Sequence, residues 1–97
     1  MIFETRKIKV NGGQVDFFKI SLPKANLLIL VAPKGFVMCG YLDMETCNKL
    51  ADVACRVKGV RELEDFLEAP IEDLTPGAQS LGIRQGMRVK EVLTLLV

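Results

Sequence analysis

Ninety-seven residues, 49% hydrophobic and 26% charged, make one domain of residues 1–97 with one core, and this balance argues against disorder. The absence of histidine excludes a Ser-His-Asp triad, a Cys-His pair and a His-based zinc site within one chain. Net charge is only +1, divided as nine Lys/Arg against five Asp/Glu in residues 1–60 and four against seven in residues 61–97.

In chain order, the first strand is predicted from about Phe3 to Val10, with Ile8 and Val10 on one face and Thr5, Lys7 and Lys9 on the other. Asn11-Gly12-Gly13 turns the chain, because Asn and Gly tolerate positive φ. The second strand runs from Gln14 to about Leu22, with Phe18, Ile20 and Leu22 expected inward and Lys19 and Ser21 outward. Pro23-Lys24-Ala25-Asn26 is a loop. Leu27 to Val31 and Phe36 to Cys39 are short, wholly apolar runs, the mark of strands buried on both faces. Between them Pro33 suits the second position of a turn and Gly35 the fourth.

Beyond Gly40 the period changes. Asp43 is placed to cap a helix from Met44 to about Ala54, with Met44, Cys47, Leu50, Ala51, Ala54 and Val57 on one stripe. Val53, Cys55 and Val57 also alternate, which leaves residues 53–58 open between helix and a short strand. A short acidic helix follows from Arg61 to Leu67. Thr75-Pro76 opens another that ends near Leu81-Gly82, and the last runs from about Arg88 to Leu96. Strands first and helices after them predict an α+β domain. Its sheet is expected to be mainly antiparallel, of about four strands from the N-terminal half, packed by helices from the C-terminal half.

No run approaches the roughly 18 apolar residues that span a bilayer. Met1 to Val10 lacks a secretory h-region, so a cytoplasmic protein without a membrane partner is expected. There is no Walker loop, Gly-x-Gly-x-x-Gly or EF-hand loop. Nucleic-acid binding is not expected, since Lys7, Lys9 and Lys19 are explained as the solvent side of edge strands. No cofactor is implied. No metal site is expected either, because Glu62, Glu64, Asp65 and Glu68 read as a solvated helix face. The three cysteines, Cys39, Cys47 and Cys55, form no Cys-x-x-Cys pair and read as free, buried thiols.

Leu22-Pro23-Lys24-Ala25, Met38-Cys39-Gly40-Tyr41-Leu42-Asp43, Gly59-Val60, Asp65-Phe66-Leu67, Ala69-Pro70, Leu81-Gly82-Ile83 and Gly86-Met87 together resemble the YunC-like family of small prokaryotic proteins, classed as a domain of unknown function. The resemblance covers nearly the whole chain, and it implies a compact α+β domain. It carries no activity, substrate or catalytic residue onto this sequence.

Function is therefore weighed residue by residue. Cys39 is a candidate nucleophile: it follows an apolar strand, Gly40 leaves room beside it, and Lys24, Lys34 or the helix near Met44 would have to activate it. A small core cysteine explains it more simply. Lys24 is the second catalytic candidate. Lys24, Asn26 and Asp43 are the ligand-binding candidates, against plain turn and cap roles. The expectation is a small binding or interaction module without catalysis of its own. The alternative is a small enzyme using Cys39 or a lysine in a pocket at the sheet rim. No small-molecule ligand can be named from the sequence, and apolar residues on both sheet faces suggest a homo-oligomer.

Overall fold

The computed structural model describes residues 3–39 and 52–97. Six strands form one sheet in the order β1-β2-β3-β4-β5-β6. They are β1 (Phe3–Val10), β2 (Gly13–Ser21), β3 (Asn26–Ala32), β4 (Gly35–Met38), β5 (Ala54–Arg56) and β6 (Asp73–Leu74). Among the described residues three helices follow or interleave: α1 (Leu63–Glu68), α2 (Pro76–Ser80) and α3 (Val89–Leu96). None of them is long and apolar enough to cross a membrane.

The α+β class holds, and β1 to β4 pair antiparallel through three successive hairpin connections. Asn11 and Gly12 take φ values of 47° and 82°, the left-handed pair that a tight hairpin demands. The expectation of about four antiparallel strands is corrected to a six-stranded mixed sheet, since β5 joins β4 in parallel and β6 closes on β5. At its C-terminal end the predicted helix is contradicted, since Asp52 and Val53 are not helical and Ala54 starts a strand; residues 44–51 and the cap Asp43 lie outside the described residues. Gly35 makes the parallel pairing feasible. A Cβ there would stand 2.3 Å from the Val53 carbonyl oxygen, and that oxygen accepts from the Phe36 N–H at 3.0 Å.

The phase of β2 also differs from expectation. Val15 and Phe17 are fully buried, Phe18 and Ile20 are half-buried on the opposite face, and Leu22 is exposed. Both faces of this strand carry large apolar residues, so its own pattern does not choose between them. The pairing does: Ile8 lies opposite Val15, and Leu30 opposite Phe17. Lys19 consequently sits at the edge of the core face, where its ammonium reaches Glu62 at 2.8 Å.

One sheet face meets the helices. Val15, Phe17, Leu28, Leu30, Val37, Cys55 and Val57 form a single buried cluster with Phe66 of α1, Ala78 of α2, and Val89, Val92, Leu93 and Leu96 of α3. The last helix is closed at its start by the Arg88 N–H donating to Glu91 Oε1 at 3.2 Å. It is tied to α1 through Glu68, which receives Arg88 at 2.7 Å and Lys90 at 2.8 Å. Those two cations hold the Glu68 carboxyl below its usual range.

Candidate functional site

Pairing of Ile29 with Met38 and of Met38 with Arg56 brings three chain ends to the same end of the sheet. These are the start of β3, the exit of β4 and the exit of β5. The parallel pair is essential here, because only parallel strands send both their C-terminal exits the same way. After β5, Val57 still donates its N–H to the Met38 carbonyl at 3.0 Å, and Lys58-Gly59-Val60-Arg61 then leads the chain away. Gly59 takes a φ of +73°, a conformation that L side chains rarely adopt, so glycine is favoured at this bend. Opposite it, the β2–β3 loop is closed by the Leu22 N–H donating to the Ala25 carbonyl at 2.9 Å.

Between these two segments lies a cleft of about 490 Å³, lined by Lys24, Ala25, Asn26, Cys39 and residues 58–61. A second lobe of about 330 Å³ adjoins it and shares Lys24, Ala25, Asn26 and Arg61. Asn26 Nδ2 donates to the Arg61 carbonyl at 2.9 Å, fastening the two walls together. Cys39 forms part of the lining but is only 5% exposed. Its Sγ accepts from the Leu28 N–H at 3.2 Å, and the thiol donates to the Asn26 carbonyl at 3.5 Å. Sulfur thus completes the β3–β4 ladder where the backbone pairing ends.

The cleft's electrostatics are one-sided. Among the described residues Lys24, Lys58 and Arg61 line it and no carboxylate does. Lys58 has Glu72 at 3.7 Å with both side chains well exposed, a contact of small energy. Among the described residues neither Lys24 nor Arg61 makes an ion pair. Other basic residues do: Lys19 has Glu62, Arg56 has Asp73, and Arg88 has Glu68.

Three of the four residues singled out from sequence, Lys24, Asn26 and Cys39, therefore come together in one cleft. Asp43 lies outside the described residues. Lys58, Gly59 and Arg61 were not foreseen. The available signal was a glycine set between two basic residues, but nothing in the sequence tied it to a loop more than 30 positions earlier. Cys55 lies elsewhere, fully buried within the core cluster, where burial pushes its thiol up to about 12. Among the described residues no three His, Cys, Asp or Glu side chains converge.

The comparisons with known proteins agree with this architecture. A family model described as "Domain of unknown function (DUF1805)" matches residues 38–96. The chain belongs to this family. It is 38% identical over 90 residues to the uncharacterized protein YunC of Bacillus subtilis (strain 168), an alignment that spans 89% of each chain. Among solved structures it is similar to the crystal structure of TA1206, a protein of unknown function from Thermoplasma acidophilum. That match has a TM-score of 0.95 and 40% identity, and covers 99% of this chain and 94% of the other. The family segment contains Cys39 and the Lys58–Arg61 wall, whereas Lys24 and Asn26 come from the N-terminal hairpins that precede it.

Proposed function

We propose that this member of the family is a small-molecule binding module that holds its ligand in the cleft between the β2–β3 loop and the Lys58–Arg61 segment. It performs no catalysis of its own. The observation that carries this reading is the convergence of two distant segments, clamped by Asn26 on the Arg61 carbonyl, on a cavity of about 490 Å³. That volume lies within the ordinary range for small-ligand sites, roughly 300–1,000 Å³. The position of the Cys39 thiol between the Leu28 N–H and the Asn26 carbonyl supports a role in closing the strand end. Free thiols at Cys39 and Cys55 support the cytoplasmic setting.

The rival reading, a small enzyme using Cys39 or a lysine, draws its support from Cys39 and Lys24 lining the same cleft. Titration with iodoacetate at neutral pH separates the two. The binding-module reading expects all thiols to react slowly in the native protein. A single fast thiol at Cys39 would favour the enzyme.

A further inference from the structure

Charge, shape and lining together restrict what the cleft can hold. Among the described residues its wall carries three cationic side chains, Lys24, Lys58 and Arg61, and no acidic one. Lys24 and Arg61 line both lobes, so they stand at the junction; Lys58 lines only the larger lobe. One anionic group at the junction would meet an ammonium and a guanidinium, and a guanidinium presents paired N–H donors in the geometry of a carboxylate or phosphate edge. A second negative charge further into the larger lobe would meet Lys58, whose contact with Glu72 at 3.7 Å is loose enough to be exchanged.

We infer that the cleft binds a small ligand carrying two negative charges, either a phosphate monoester or a dicarboxylate. Arg61 and Lys24 grip the phosphate or one carboxylate, and Lys58 meets a further phosphate oxygen or the second carboxylate. This inference rests on the binding-module reading and names the chemistry of its ligand.

The test is calorimetric titration, with parallel amide NMR mapping, of the full chain against four probes: inorganic phosphate, glycerol 3-phosphate, malonate and neutral glycerol. At least one anion should bind at a single site, shift the amides of Ala25, Gly59 and Val60, and weaken as salt screens the charges. Lys24→Gln and Arg61→Gln should each weaken that anion by about tenfold, the scale of a lost charge-assisted hydrogen bond. Lys58→Gln should cost a smaller factor. Preference for the two phosphates points to a phosphate ester and preference for malonate to a dicarboxylate; either outcome supports the inference. All three side chains lie at the surface, and an otherwise unchanged amide spectrum verifies the fold of each variant. Anion affinity unaltered by Lys24→Gln and Arg61→Gln together would overturn the inference. So would a response of the same amides to glycerol or other neutral fragments but not to anions, and the binding-module reading would then survive. No response to any small molecule would remove both.

Discussion

Replacing Thr75 by valine is a direct test of how β5, and with it one wall of the cleft, is held in place. Thr75 is fully buried and sits at the N-cap of α2. Its hydroxyl accepts from the Ala54 N–H at 3.1 Å and the Ala78 N–H at 3.3 Å, and it donates to the Asp52 carbonyl at 2.6 Å. One oxygen thus joins the strand, the helix start and the chain that enters the strand. Valine keeps the volume and strands two donors and one acceptor, each at about 1 kcal/mol or more. The sum is about 3 kcal/mol, a large part of the roughly 5–15 kcal/mol that holds a domain of this kind folded. At roughly 4–8 °C per kcal/mol for a domain near 100 residues, Tm should fall by about 12–24 °C. Thr75→Ser keeps the hydroxyl and loses one buried methyl, so it should cost only about 1 kcal/mol. Urea unfolding of the two variants provides the comparison, with unchanged m values showing that the unfolded state is not at issue. If Thr75→Val were no more destabilising than Thr75→Ser, the hydroxyl would not be the link described here.

Gly35→Ala places a Cβ 2.3 Å from the Val53 carbonyl oxygen, a backbone atom that cannot step aside without breaking the β4–β5 pairing. A loss of about 3 kcal/mol or more is expected in denaturant titration, on the scale of severe overpacking, and wild-type stability would contradict the close approach. Burial raises the Cys55 thiol from 9.0 to about 12, so the fold prefers the protonated form. That contribution is fully present below pH 9 and is lost as pH rises towards and through about 12. Cys55→Ala should flatten the alkaline fall in urea midpoint, and an identical fall in the variant would assign it to other groups. Self-association through the second sheet face, where Phe3 is 58% and Val31 39% exposed, is proposed with a second copy of the chain as the occupant. Sedimentation equilibrium showing 10.8 kDa at every concentration would end that proposal.

The hairpins were legible in the sequence because their turns are written in residue chemistry. Asn11-Gly12 requires positive φ, and Pro33 and Gly35 fix the β3–β4 turn. The phase of β2 was not legible, since Val15 and Phe17 on one face are matched by Phe18 and Ile20 on the other, and only pairing across the sheet decides. Nor were β5 and β6 assignable with assurance. Strands of three and two residues are shorter than any period can reveal, and Ala54 and Val57 fit a helical stripe as well as a strand. The same strands explain why half of the cleft escaped notice. Lys24, Asn26 and Cys39 follow from loop position and strand end. Lys58 and Arg61 reach the cleft only because β5 runs parallel to β4 and leaves the sheet at the same end.

A small ligand is proposed to occupy the cleft between Lys24 and Arg61. Native mass spectrometry of the protein purified from cells under gentle conditions tests it most directly, comparing the wild-type chain with the Lys24→Gln, Arg61→Gln double variant. A bound small molecule is expected on the wild-type chain and should be lost from the double variant while its fold, judged by Tm, is retained. The same adduct on both proteins would place the ligand elsewhere and contradict the account.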